Sequence, residues 1–164
     1  FYTNITGTWS VTSSNTNGSN NINYTFNRTY SDGRYKWNCY ACDNSTNCAY
    51  AASNWTFTLD TTAPTVETID RTITFNTSFT FDINATEDLV GVDTSTWAVN
   101  DTNFNIDSSG VLSESASLGV GYHYLNVSVD DYLGNTGYAT MYVRAVDSIN
   151  PSVTLINITD NYTG

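Results

Sequence analysis

The chain has 164 residues, of which 16 are acidic and five are basic, so its formal net charge is −11. A chain this poor in cations is not expected to bind a nucleic-acid backbone, because such binding requires Lys and Arg side chains that neutralise phosphates. No apolar run approaches the roughly 20 residues that span a bilayer, so no membrane insertion is predicted. Hydrophobic residues make up 40% and aromatic residues 14% of the chain, which argues against disorder and, with abundant Thr, Tyr, Val and Ile, predicts an all-β fold.

The sequence contains an internal repeat, which sets the order of its predicted elements. At an offset of 88 residues, Trp9 falls on Trp97 together with its neighbours on both sides. With one residue deleted, the segment 60–66 falls on the segment 147–153. Each of these segments begins with an Asp and has a Pro four residues later. Because Pro donates no hydrogen bond to a ladder, it suits the edge of a first strand, and both segments are predicted to be joints between copies of one unit.

The repeat divides the chain into three parts. Residues 1–60, here called copy one, are predicted to be an incomplete immunoglobulin-like domain, and residues 61–150, copy two, a complete one. Residues 151–164 are predicted to be the first strand of a next domain or a donor strand. Copy one has no counterpart of residues 64–88, so it is predicted to lack its first two strands. Six of its residues would then line an open groove, namely Trp9, Val11, Trp37, Cys39, Trp55 and Phe57.

Three cysteines lie close together in copy one. Cys42 and Cys48 flank a polar turn between two predicted strands, so their Cα atoms could approach the ~4.4–6.8 Å that a disulfide requires. A disulfide is predicted here, with two reduced thiols or a metal clip that includes Cys39 as the alternatives. Because successive residues of a strand point to opposite faces, Cys39 is predicted to be a buried free thiol.

Copy two has the pattern of a β-sandwich. Apolar and polar residues alternate over 79–85 and again over 125–130, as in half-buried antiparallel strands. About seven short strands in about 85 residues are typical of an immunoglobulin-like sandwich. The other short strands are predicted at 97–100, 103–106, 111–114 and 138–145.

Residues 32–43 (DGRYKWNCYACD) and 61–66 (TTAPTV) resemble the tandem immunoglobulin-like or cadherin-like repeats of archaeal and bacterial cell-surface proteins. The resemblance covers almost the whole chain and implies an extracellular structural or adhesive array. It also implies calcium ligands, because cadherin-like arrays bind calcium through acids near their joints. The candidates are Asp60, Glu87, Asp88, Asp130, Asp131 and Asp147. Ordinary solvated or capping carboxylates are the alternative, and no other cofactor is expected.

The tail repeats the beginning of copy two, since 151–164 matches 64–77. Its apolar residues have no domain of their own, so they are predicted to form a donor strand that completes copy one of another chain. Head-to-tail contacts of this kind propagate into a filament. The alternative is that the sequence is cut from a longer array. The predicted donor residues are Val153, Leu155, Ile156 and Ile158.

Asn-x-Ser/Thr triplets are about twice as frequent as composition alone would give, which predicts N-linked glycans. Asn84 and Asn126 occupy the outward phase of strands, where a glycan can project into solvent. The alternative is that a Thr-rich strand sequence generates such triplets without modification. The twelve candidates are Asn4, Asn17, Asn23, Asn27, Asn44, Asn54, Asn76, Asn84, Asn100, Asn126, Asn157 and Asn161.

No pattern typical of catalysis occurs. His123 is the single histidine and is predicted to be a packed, hydrogen-bonded residue, and neither a phosphate loop nor a nucleophile motif is present. The sequence therefore predicts a structural subunit of an extracellular glycosylated filament or surface array, and not an enzyme. The alternative is an adhesive module that binds glycan or a partner through exposed tyrosines, with Tyr2, Tyr24, Tyr30, Tyr40 and Tyr132 as candidates.

Overall fold

The computed structural model describes residues 1–16, 18–19 and 22–154. These residues form β-strands and connecting turns, and no helix occurs among them. The strands are β1 (Tyr2–Thr3), β2 (Ser10–Val11), β3 (Gly33–Asn38), β4 (Tyr40–Cys42), β5 (Cys48–Tyr50), β6 (Trp55–Leu59), β7 (Thr65–Glu67), β8 (Arg71–Thr74), β9 (Thr80–Asp82), β10 (Asn84–Thr86), β11 (Val92–Val99), β12 (Phe104–Ile106), β13 (Val111–Glu114), β14 (Gly121–Asp131) and β15 (Thr136–Val146).

Copy two forms a sandwich of two layers. One layer is the sheet β11-β14-β15-β8, and the other consists of β12-β13-β9 together with the pair β10-β7. All of these strand pairs are antiparallel except that of β15 with β8. These two strands run parallel, with Val143 opposite Arg71 at one end and Val146 opposite Thr74 at the other. The all-β, immunoglobulin-like class predicted from the sequence is confirmed.

The core of copy two follows from the alternation along β14. Leu125, Val127 and Val129 point inward and are at most 2% exposed, while the intervening residues face solvent or the sheet surface. Opposite them, Leu112 of β13 is fully buried. Burial of side chains of this size stabilises a fold by roughly 1.5–3 kcal/mol each, so this layer dominates the stability of copy two.

Copy one has a different architecture. Its strands form the sheet β2-β1-β3-β6 and a separate hairpin β4-β5, and these are all the strand pairings within residues 1–16, 18–19 and 22–60. The predicted equivalence of Trp9 and Trp97 does not extend to strand pairing, because β2 pairs with β1 whereas β11 pairs directly with β14. The two-residue strand β1 occupies the place beside β3, so β2 is displaced outward by one strand.

The repeat is visible in the turns of the two hairpins. In copy one, Asp43 Oδ1 accepts hydrogen bonds from the N–H groups of Ser45 and Asn47, at 2.8 and 2.9 Å. In copy two, Asp131 Oδ1 accepts from Leu133 and Asn135 at 2.7 and 2.9 Å. In both turns the Asn side chain also donates to the second carboxylate oxygen of the Asp. The same four-residue spacing therefore builds the same turn twice.

The joint between the copies lies directly on copy two. A Cβ atom at Gly137 of β15 would lie 2.0 Å from the carbonyl oxygen of Pro64, so the chain approaches closely only because this position has no side chain. Two hydrogen bonds cross the joint as well. Asn135 Nδ2 donates to Asp60 O at 3.0 Å, and the guanidinium group of Arg34 donates to Leu89 O at 2.7 Å.

Candidate functional site

The most unusual surface of the molecule is the inner face of the copy-one sheet, the face that corresponds to the core side of copy two. We call it the open face and define it by Tyr35, Trp37, Trp55 and Phe57. Every buried hydrophobic side chain in the described part of the chain lies between Val66 and Ala145. Among the described residues 1–60 the buried side chains are polar, namely Thr3, Asn38 and Asp60.

Aromatic rings cover the open face side by side. Trp37 stacks on Trp55 with ring centroids 6.3 Å apart, and Tyr35 contacts Phe57 at 5.2 Å. Trp55 is nevertheless 61% exposed. From the segment before β3, Phe26 stacks on Phe1 at 5.6 Å, and Phe1 in turn contacts Trp37. The rings of Tyr35, Trp37 and Phe57 are half-buried, so the open face is a partly exposed apolar patch. Exposed apolar patches can mark interaction surfaces.

The residues of the predicted groove do not share one environment. Trp9, Val11 and Trp55 are exposed, as expected for an uncovered sheet. Trp37 and Phe57 are half-buried by their aromatic neighbours. Trp9 lies elsewhere than predicted, because its ring stacks on Tyr2, which also contacts the rings of Tyr40 and Tyr50.

The outer edge of β6 is free of a paired strand in the described residues. β6 pairs with β3 from the Gly33 and Leu59 pair to the Trp37 and Trp55 pair, and it ends the sheet. The corresponding strand of copy two, β15, has β14 on one side and β8 on the other. An unpaired edge presents N–H and C=O groups that can pair with an added strand.

The disulfide prediction is confirmed. Cys42 and Cys48 are joined across the β4 and β5 pair, with an S–S distance of 2.00 Å and a Cα–Cα distance of 4.0 Å. This bond removes Cys42 from any metal clip with Cys39. Cys39 is free, as predicted.

The predicted burial of Cys39 is wrong, because its side chain is exposed. The strand is interrupted between β3 and β4, and Asn38 takes the buried position with 4% exposure. Asn38 Oδ1 accepts the N–H of Cys39 at 2.7 Å, and Asn38 Nδ2 donates to Ala51 O and to Asn54 Oδ1. The simple alternation used in the prediction fails at this interruption.

The predicted calcium ligands do not form one group. Asp131 lies at the turn between β14 and β15, whereas Asp147 follows the end of β15, so the ten residue pairs of this hairpin separate them. Asp88 is exposed. Asp130 and Asp131 point to opposite sides, and Asp131 is the buried one. Within the described ranges, no set of three or more His, Cys, Asp or Glu side chains is arranged to hold a metal ion.

Asp60 and Glu87 do lie at the joint. Asp60 is 6% exposed, and its Oδ2 has no hydrogen-bond partner in the described structure. The Thr62 N–H lowers the pKa of Asp60, but burial and the negative charges of Glu87, Asp131 and Asp32 outweigh this bond, so its pKa is raised.

The neighbouring carboxylates have other partners. Glu87 accepts the N–H groups of Leu89, Val90 and Gly91, and these bonds lower its pKa. Burial alone would raise the pKa of Asp131, but hydrogen bonds from Asn135 and the turn N–H groups lower it. These acids act as turn caps in the structure, and calcium binding stays a prediction, measurable as a fall in the unfolding midpoint on adding a chelator.

The sequons differ in how their side chains are engaged. Asn4, Asn54 and Asn100 accept hydrogen bonds through Oδ1, the first and third from the backbone N–H groups of Lys36 and Asn126. Asn84 and Asn126 are exposed on strands, as predicted, Asn84 at the beginning of β10 and Asn126 within β14. Asn23, Asn27, Asn44 and Asn76 are also exposed. Three sequons, Asn17, Asn157 and Asn161, lie outside the described residues.

A cluster of three tyrosines was missed by the sequence analysis. Tyr122 and Tyr124 of β14 and Tyr142 of β15 contact one another on the outer face of copy two, with ring centroids 5.1–6.2 Å apart. We call these residues the tyrosine cluster. Its signal was present in the sequence, since two tyrosines share one phase of a strand and the third lies in the strand after the turn.

Other predicted features have the following positions. Val153 is 84% exposed, whereas Leu155, Ile156 and Ile158 lie outside the described residues.

His123 is hydrogen-bonded to Gly119 O at 2.8 Å and contacts the ring of Phe104, as predicted. In the part of the chain that the structure describes, no helix has the length and apolar character needed to cross a membrane.

Comparisons with known proteins give partial structural likeness only. No protein family and no curated protein matches the chain. A Bacteroides fragilis protein assigned as an α-galactosidase matches with 16% identity over 55% of this chain and 19% of its own, at a TM-score of 0.41. Repeats EC1-3 of protocadherin gamma C5 match with 12% identity over 69% of this chain and 43% of their own, at a TM-score of 0.38. Dimeric latent PorU from Porphyromonas gingivalis matches with 20% identity over 73% of this chain and 14% of its own, at a TM-score of 0.34. The chain therefore spans less than half the length of each of these structures.

Proposed function

We propose that the protein is a structural subunit of an extracellular, glycosylated filament or surface array, assembled head to tail by β-strand complementation. The observation that carries the proposal is the open face together with the unpaired edge of β6. An exposed sheet with aromatic side chains on one face and a free edge is a surface that a further strand can complete.

Copy two supplies the template for this completion. Its strand β15 corresponds to β5 and β6 of copy one and is paired on its outer side by β8. Strands β7 and β8 are the part of the unit that the tail repeats, since 151–164 matches 64–77. Val66 of β7 is buried in the core, whereas its counterpart Val153 is 84% exposed. The tail thus offers the kind of strand that the open face lacks.

The expected strength of such a joint follows from its apolar content. The proposed donor residues are Val153, Leu155, Ile156 and Ile158, and burial of each would contribute roughly 1.5–3 kcal/mol. Ladder hydrogen bonds would add about 1 kcal/mol each. The contact is heterologous, because tail and open face are different surfaces, so it extends into a chain of copies unless the rotation closes a ring.

Extracellular location and glycosylation complete the proposal. The disulfide between Cys42 and Cys48 favours an oxidising compartment. Exposed sequons are distributed over both copies, and glycans would keep a chain with 13% charged residues soluble. This role requires no catalytic residue and no cofactor.

The decisive experiment removes residues 151–164. Electron microscopy should then show no fibres, while calorimetry should still show the unfolding transition of copy two. Adding a free peptide of residues 151–164 to the whole chain should shorten fibres by occupying open faces. Fibres of normal length from the truncated protein would overturn the proposal.

A point substitution with a matched control tests the strand itself. Val153→Asp should abolish fibres, because it would bury an unpaired carboxylate where Val66 is buried in copy two. Ser152→Asp is the control, since its counterpart Thr65 is exposed. Equal loss of fibres in both variants would contradict donation in this register.

An adhesive module that binds glycan or a partner is the second candidate, and the tyrosine cluster is the observation that favours it. Exposed neighbouring rings on one face are suited to stacking on sugars or on a protein surface. Binding of the purified protein to immobilised glycans, lost in Tyr124→Thr and without fibres in the microscope, would favour this candidate over the filament.

A further inference from the structure

We propose that Asn126 carries a glycan whose first sugars pack on the tyrosine cluster of the same sheet. This inference deepens the proposed function and rests on its glycosylation part. It gives the glycan of one sequon a defined position on the protein surface, whereas glycans at the other sequons would extend into solvent.

The geometry of β14 brings the sequon and the cluster together. Tyr124 and Asn126 are separated by one residue on a regular strand, so both side chains project from the same face about 7 Å apart. The intervening Leu125 is buried on the opposite face. A sugar attached to Asn126 Nδ2 therefore starts within one sugar length of the Tyr124 ring.

The surroundings leave room for a sugar. Opposite Asn126 on β15 is Thr140, which has a short side chain, and opposite Tyr124 is Tyr142. Asn126 is exposed, and its side-chain amide takes part in no hydrogen bond among the described residues. Its backbone N–H is held by Asn100 Oδ1 at 2.7 Å, which fixes the strand without engaging the amide.

The rings are already arranged as a platform. Tyr122 and Tyr124 are stacked with an interplanar angle of 15°, and Tyr142 meets both rings edge-on. The Arg144 guanidinium lies 5.3 Å from the centre of the Tyr122 ring and supports it at the far end. Tyr124 is 70% exposed, the highest value in the cluster.

Sugar chemistry suits this platform. The axial C–H bonds of a β-linked pyranose form an apolar face, while its hydroxyl and acetamido groups project from the ring edge. Packing the apolar face on Tyr124 would remove water from exposed apolar surface and leave the polar edge in solvent.

Two other sequons among the described residues, Asn84 and Asn4, lack this combination. Asn84 is exposed at the beginning of β10, but two residues before it is Asp82 and not an aromatic residue. Asn4 has Tyr2 two residues before it, yet Asn4 Oδ1 accepts the N–H of Lys36, and Tyr2 is covered by the rings of Trp9, Tyr40 and Tyr50. Asn84 is therefore the matched control for Asn126.

The test uses the whole chain secreted from yeast, which attaches high-mannose glycans to such triplets. Mass spectrometry should find glycan at Asn126. The unfolding midpoint of copy two should be roughly 3–6 °C higher in the glycosylated protein than in Asn126→Gln. In the Tyr124→Thr background, the same comparison should give no difference. Tyr124 is on the outer face, so this variant is expected to fold.

Two further readouts separate the possible outcomes. Nuclear Overhauser effects should join protons of the first sugar to the Tyr124 ring, and Asn84→Gln should show no dependence on Tyr124. Glycan at other sequons with Asn126 unmodified would overturn this inference alone. The inference, but not the proposed function, would also be overturned if the glycan stabilised the Tyr124→Thr variant equally. The same holds if no contact between the first sugar and the Tyr124 ring were detected. Unmodified Asn at every sequon would overturn it together with the glycosylation part of the proposed function.

Discussion

Copy one and copy two contain the same hairpin but differ in what covers it. At the offset of 88 residues, Leu125, Val127 and Val129 correspond to Trp37, Cys39 and Ala41. The first three are at most 2% exposed, whereas Trp37 is half-buried and the other two are exposed. Trp37 is only half-buried because the face that it shares with Trp55 is partly open, whereas Cys39 and Ala41 are exposed because the strand is interrupted after Asn38. Alternation therefore predicts which side chains share a face only where the strand is continuous.

The joint residues differ between the copies as well. Gly137 allows Pro64 to approach β15 closely, and at the offset of 88 residues its counterpart in copy one is Ala49. The methyl group of Ala49 would occupy the place that the Pro64 carbonyl takes in copy two. If a strand is donated to copy one as proposed, it would have to lie farther from β5 at this point than Pro64 lies from β15.

The largest expected effect tests the core difference. Leu125→Ala should destabilise copy two by about 2–5 kcal/mol, because it opens a cavity in a closed core. Trp37→Ala at the matching position should cost less in the monomer, where one side of the ring is open to solvent. Denaturant titration with separate probes for the two copies measures both, and a larger loss for Trp37→Ala in the monomer would contradict an open face.

The disulfide should stabilise copy one alone. Replacing Cys42 and Cys48 by Ser should lower the stability of copy one by about 2 kcal/mol, because the cross-link restricts the unfolded chain. The matching positions in copy two, Asp130 and Thr136, have no cross-link, so its transition should not change. A comparable shift in both transitions on adding reductant would show that the copies unfold as one unit.

The two Asp turns provide a smaller effect with a pH signature. Asp131→Asn should lower the free energy of unfolding of copy two by about 1 kcal/mol. The new side-chain amide would replace the carboxylate that accepts the hydrogen bond from Asn135 Nδ2. The pKa of Asp131 is lowered in the fold, so its contribution is present above the unfolded pKa of about 3.9 and is lost as the pH falls through the lower folded value. The difference between variant and wild type should therefore vanish in strong acid.

Asp43→Asn is the control for that experiment. Its turn has the same hydrogen bonds, and the pKa of Asp43 is also lowered by Asn47, but the turn is exposed. The substitution should shift the transition of copy one less than Asp131→Asn shifts that of copy two. Equal shifts would mean that burial does not strengthen the turn.

The smallest effect on stability gives the most direct report on assembly. Cys39 is exposed, so an alkylating reagent should label it in the folded monomer without reductant. Cys39 directly follows β3, the strand that carries Tyr35 and Trp37 of the open face, so labelling should slow markedly in fibres if a donated strand extends past the end of β3. Equal labelling rates in monomer and fibre would place the contact elsewhere.

Much of the fold was predictable because it depends on local patterns. The period-two alternation of 125–130 and the turn residues Asp131 and Asn135 identify the β14 and β15 hairpin. The position of Cys39 was not predictable, because the buried amide of Asn38 interrupts the alternation through bonds to Ala51 and Asn54. The tyrosine cluster was missed because contact between β14 and β15 side chains depends on register, which the turn sets only once its geometry is known.

The parallel pairing of β8 with β15 has a mechanical consequence. The chain enters copy two through β7, which pairs with β10, and then forms β8, which is held to the last strand, β15, by four consecutive residue pairs. Once β7 is detached, tension applied along the chain pulls β8 towards its beginning and β15 towards its end, so the two strands are drawn past each other along their axes. The hydrogen bonds between them then carry the load together and must break together, which gives copy two resistance to stretching that strands peeled apart from one end would not have.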